Sequence, residues 1–117
     1  MGLLDRFRRA TPGRSGVSRP SGADRRYLTE WVRTHTGVEG FVEPKTAVTD
    51  VTVVLIAADG EWTRRLVGEA GARRLAKDLG IPVYDVGRTG YPQRMRDYDA
   101  RRRIERERAA ARDLDGL

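Results

Sequence analysis

Cysteine is absent from the 117 residues, so no disulfide framework, thiolate zinc site or thiol nucleophile is available. Histidine occurs once, at His35, which leaves no pair of imidazoles for a metal centre. Long apolar runs are missing too. The longest, Val53 to Ala58, falls far short of the roughly 20 residues that a spanning helix needs. Lysine is nearly absent: only Lys45 and Lys77 accompany 21 arginines, a ratio that GC-rich codon usage produces by itself. Apolar residues make up 38% of the chain, enough for a core only because they concentrate in its middle.

The net charge of +6 is unevenly spread. Residues 1–26 hold seven arginines against two aspartates, and residues 92–117 hold eight basic against six acidic residues. Between them, residues 27–91 carry eight basic and nine acidic groups. Any attraction to polyanions therefore resides in the terminal segments and not in the middle. At the amino terminus, Leu3 and Leu4 precede Arg6, Arg8 and Arg9, the reverse of a secretory signal. Arg6 also stands where myristoylation wants Ser or Thr. A cytoplasmic location is the expectation.

Residues 10–23 consist largely of Gly, Ser, Pro and Arg and bury too little apolar surface to offset the entropy of ordering. Residues 1–23 are thus expected to form a flexible basic arm. Order begins near Asp24, taken as an N-cap, with Tyr27, Leu28, Trp31 and Val32 on one face of a helix that stops by Gly37. VEGFVE (38–43) alternates and ends at Pro44, which predicts a strand near a sheet edge. Val51 to Ala58 is β-branched and almost continuously apolar, a strand buried on both faces. Asp59-Gly60 then signals a hairpin into the alternating EWTRRL.

A second helix spans Glu69 to Leu79 and is closed by Gly80. IPVYDV (81–86) follows as a strand, then turn residues, then a polar helix from Gln93 to about Asp113 with few apolar anchors. The expected fold is α/β (more strictly α+β), a single small mixed sheet in the order α-β-β-β-α-β-α. Residues 24–92 form the core domain, and 93–117 a polar, Arg-rich C-terminal helix or tail. Val53, Leu55, Trp62, Leu75 and Leu79 are expected to share one core.

Several short patterns invite a chemical reading. Gly68 and Gly71 precede Arg73 and Arg74 at the start of the second helix, where exposed backbone N–H groups can bind a phosphate. A dinucleotide fingerprint needs three glycines after a central parallel strand, and this segment has two after a hairpin strand. Glu43-Pro44-Lys45 matches a nuclease-type Glu-x-Lys, but no acidic residue precedes it on a suitable strand, and no metal is expected. His35, at a helix C-terminus, fits a capping role better than catalysis. The most distinctive stretch is residues 87–103. There Tyr91 and Tyr98 alternate with Arg88, Arg94, Arg96 and Arg101, a mixture able to stack on bases, to bind phosphate or to anchor a protein interface. The competing reading is that the tyrosines pack the helix start and the arginines are solvated.

The segments GVEGFVEPKTAV, VVLIAADGEWTRRLV and IPVYDVGRTGYPQRMRDY resemble a family of small uncharacterised actinobacterial proteins, some of which carry the automatic label oxidoreductase. The resemblance covers the middle half of the chain and implies a bacterial cytoplasmic origin, without supplying a catalytic motif. The order α-β-β-β-α is also similar to the double-stranded-RNA-binding fold, in which Arg73 and Arg74 would fall among the phosphate contacts. The negative balance of residues 27–91 and the extra strand argue against it. The leading expectation is a non-catalytic binding module, with no cofactor and no catalytic residue, acting on nucleic acid or a ribonucleoprotein. The alternatives are an adaptor for a protein or membrane surface, and an oxidoreductase as the family label implies.

Overall fold

The computed structural model describes residues 21–116, so most of the basic arm lies outside the described residues. Helix α1 runs over Gly22–Thr34. Its N-cap is Ser21, not Asp24: the Ser21 hydroxyl accepts from the Asp24 N–H, and the Asp24 carboxylate accepts from the Ser21 backbone N–H at 3.0 Å. This reciprocal box satisfies two helix-end donors, which is why the helix starts earlier than a lone aspartate cap would place it. At the other end the His35 N–H bonds the Val32 carbonyl, and Gly37 turns the chain with φ of 63°.

Strands β1 (Glu39–Glu43), β2 (Thr52–Ile56) and β3 (Trp62–Leu66) form an antiparallel meander. Helix α2 (Gly68–Leu79) then crosses to β4 (Val83–Asp85), which pairs parallel with β1. The sheet order is β3-β2-β1-β4, the single small mixed sheet that the pattern predicts. β1 is thus an interior strand, not an edge. Pro44 lies just past its end, where the missing N–H interrupts no ladder. β4 is shorter than residues 81–86 because the Asp85 side chain accepts from the Gly87 N–H at 2.8 Å and caps a short helix, α3 (Val86–Thr89). Helix α4 (Gln93–Asp115) is continuous. At 1.5 Å per residue its 23 residues span about 35 Å.

All five residues of β2 are buried, so alternate side chains feed two cores. Val53 and Leu55 point to the α1/α2 layer and join Leu28, Trp31, Val67 and Leu75. Val54 and Ile56 point the other way, to Phe41 and to Met95 of α4. Trp62 belongs to this second cluster and not, as expected, with Leu55 and Leu75. Direct pairing with Ile56 fixes its parity, and a strand apolar on both sides gives no hint of which face its neighbour shares. Leu79 does pack against the first cluster. The start of α4 is likewise part of the core, since Met95 is only 8% exposed.

Candidate binding site

The structure does not gather the tyrosines and arginines of residues 87–103 into one surface, and Arg94 and Arg101 fasten α4 to the sheet. Arg94 is half-buried and reaches back to the hairpin: its Nε donates to the Ala57 carbonyl at 2.9 Å, and one terminal nitrogen donates to Glu39 Oε1 at 2.6 Å. Tyr98 lies over Gly60, whose φ of 93° and contact with the Arg94 carbonyl leave no room for a Cβ. Arg101 donates to the Asp59 carbonyl at 2.8 Å. Trp62 Nε1 donates to Asp99 at 2.8 Å, a fastening that the sequence pattern did not single out. Arg96 folds back locally onto Gln93 Oε1 and the Tyr91 carbonyl. Arg88, on α3, is exposed.

Tyr91 ends in a polar knot at the far end of β1. Its hydroxyl donates to Glu43, which also accepts from Arg64 at 2.7 and 3.0 Å and from Thr52 at 2.7 Å. Burial pushes the Glu43 carboxyl up, but hydrogen bonds from Arg64, Tyr91 and Thr52 and the Arg64 charge outweigh it and hold the group below its ordinary value. Burial, with the Glu43 carboxylate alongside, raises the Tyr91 phenol. The hydrogen bond to Glu43 raises the Arg64 guanidinium. Every partner here is already engaged, so the knot joins β1, β2 and β3 to the entrance of α4.

The glycine pair resolves differently. Gly68 has φ of 71° and makes the turn from β3 into α2, and its N–H donates to the Val51 carbonyl at 3.0 Å. That donor is thus spent within the fold, and Glu69 places negative charge in the first helical turn. Arg73 and Arg74 are both exposed, one turn further on. His35 takes the capping position expected of it, with Nδ1 2.7 Å from the Trp31 carbonyl and its ring stacked on Trp31 at 3.6 Å. Among the described residues no cluster of His, Asp or Glu is placed to hold a metal ion. No helix there is long and apolar enough to cross a membrane.

What the pattern did not reveal is a groove between α1 and α2, of about 440 Å³. Its floor is Leu28 from α1, Val67 from the β3–α2 turn, and Leu75 and Leu79 from α2. One wall is a helical stripe of Gly22, Arg25 and Thr29, and the other carries Ala70, Gly71, Arg74 and Asp78. Both stripes follow three- and four-residue spacing, so each helix presents one face. Gly71 and Arg74 thus line a concavity, but a largely apolar one. Small residues at Gly22, Ala70 and Gly71 were the available signal, readable only once the two helices are known to be neighbours. Comparison of the chain with protein-family models, curated proteins and solved structures finds no match.

Proposed function

We propose that the chain is a non-catalytic binding module that receives a helical segment of a protein partner in the groove between α1 and α2. The observation that carries this reading is the groove itself: an apolar floor between two helical walls, with polar and charged side chains confined to the rim. Helix-in-groove recognition uses this combination, because apolar burial supplies affinity and the rim supplies orientation. The Tyr91–Arg101 segment supports the reading by contrast, since Tyr91, Arg94 and Arg101 already serve the fold. A photo-crosslinking amino acid at exposed Thr29 tests it in the native host. Crosslinks to protein at position 29, absent from the same probe at Lys77, are expected. Crosslinks to nucleic acid alone at position 29 would overturn it.

A second reading, binding to nucleic acid or a ribonucleoprotein, is favoured by the outer half of α4, where Arg102, Arg103, Arg106, Arg108 and Arg112 are all exposed. Glu105, Glu107, Asp113 and Asp115 are interleaved with them, so no face of the helix is purely basic. If this surface and the basic arm bind a polyanion, affinity falls steeply with added salt. A cytoplasmic location belongs to the same proposals and is tested by cell fractionation.

A further inference from the structure

We propose that the segment docked in the groove is an amphipathic helix flanked by carboxylates, and that Arg25 and Arg74 select it. This rests on the groove reading above and deepens it. Arg25 stands on the α1 wall and Arg74 on the α2 wall, so a guanidinium borders the apolar floor on each side. Among the residues that line the groove, Asp78 is the sole acid, one turn beyond Arg74 on the same helix. Neither Arg25 nor Arg74 makes an ion pair among the described residues, whereas Arg33, Arg64, Arg65, Arg94 and Arg102 all do. Among the described residues the rim is therefore net cationic, and no carboxylate there pairs with either guanidinium.

The shape narrows the occupant further. Each wall consists of about two helical turns, and Gly22 on one side and Ala70 and Gly71 on the other carry little or no side chain. Walls that are low in this way let a third helix settle close to the floor, with its apolar residues at i, i+3, i+4 and i+7 against Leu28, Leu75 and Leu79. Acidic residues on both edges of that helix then face Arg25 and Arg74. Guanidinium forks match carboxylates in a bidentate geometry, whereas a lysine on the partner is repelled by them. A cationic helix meets two like charges and only one aspartate.

The test uses two fluorescein-labelled helical peptides of about four turns with the same leucine stripe, one flanked by glutamates and one by lysines, titrated by anisotropy against the full chain. The acidic peptide is expected to bind about tenfold or more tightly at low salt, as two rim ion pairs are gained and not opposed. The double variant R25E/R74E is expected to reverse the preference with an unchanged melting curve, because both side chains are exposed. Ala70→Trp, which fills the groove from its wall, is expected to abolish binding of both peptides.

Equal binding of the two peptides by wild type, still lost in A70W, would overturn the selection by charge and leave the groove reading standing. Binding that survives A70W would remove the groove reading as well. Failure of wild type to bind either peptide would overturn the proposal. A synthetic peptide of residues 1–20 that displaces the acidic probe more effectively than unlabelled acidic peptide would assign the groove to the chain's own segment, and would also overturn it.

Discussion

Replacing Arg94 by Ala separates a fastening arginine from a recognition arginine. Its guanidinium holds the Ala57 carbonyl and the Glu39 carboxylate, and lies 3.4 Å from the Ile56 carbonyl. Removing it strips partners from the end of β2 and from β1 together. A hydrogen bond to a charged group contributes about 1.5–3 kcal/mol when well sheltered. Here Arg94 and Glu39 are 29% and 30% exposed, so water replaces part of what is lost. A net cost of about 2 kcal/mol follows once that screening is allowed for. For a domain of this size it lowers the melting temperature by roughly 8–15 °C. Arg96→Ala is the internal control, because its bonds are local and exposed, and it is expected to stay within about 0.5 kcal/mol of wild type. Urea denaturation followed by circular dichroism gives both values on one scale. If R94A and R96A are equally silent, the fastening role assigned to Arg94 is wrong.

Gly60→Ala forces a Cβ into the Arg94 carbonyl at a φ of 93° and is expected to cost about 3 kcal/mol or more, against about 1 kcal/mol for Gly80→Ala, which has φ of 65° but open space around it. Similar urea midpoints for the two variants would contradict this. Met95→Ala should cost about 2–4 kcal/mol and Ile104→Ala under about 0.5 kcal/mol, since Met95 is buried and Ile104 is 41% exposed. Equal losses would mean that α4 is not divided into a docked and a solvated part. Glu43 lies below its ordinary value when folded, so its contribution is present above the unfolded value near 4.5 and is lost as pH falls through the folded one. Tyr91 is raised, so its contribution is complete below the unfolded value near 10 and is lost as pH rises through the folded one. The acid limb should flatten in E43Q and the alkaline limb in Y91F, and pH–stability curves that coincide with wild type would refute the assignment.

Much of the fold was legible because its signals are local. The three- and four-residue apolar spacing of Tyr27 to Val32, the β-branched run at 51–56, the Asp59-Gly60 turn and the Gly80 stop each depend on a few adjacent residues. What failed was relational. The placement of β1 inside the sheet depends on β4 returning beside it, about 40 residues later, and no local pattern encodes that return. Trp62 lies on the α4 face because it pairs directly with Ile56, and β2, apolar on both sides, does not reveal which face its neighbour shares. At the level of the site, aromatic and arginine residues beside a turn carry the same sequence signal whether they bind a partner or pin a helix. Only the positions of Ala57, Asp59 and Glu39 distinguish the two, and the first two of these lie on a hairpin more than 30 residues upstream.

The two faces of β2 also divide the labour of the domain. On one side α4 is tied down by side-chain bonds at Arg94, Asp99 and Arg101, all aimed at the β2–β3 hairpin and its neighbours. Among the described residues no such bond joins the helix past Arg101 to the sheet, and Arg102 pairs with Glu105 in its own next turn. A helical stretch of this length is marginal alone in water, so its persistence depends on the docked turns before it. On the other side α1 and α2 share the core through Leu28, Trp31 and Leu75 and leave a groove between their outer faces. A ligand there touches neither the Glu43 knot nor the Arg94 clasp, which lie on the α4 side of the sheet. Occupation of the groove in the proposed way would therefore leave intact the contacts that fix the topology.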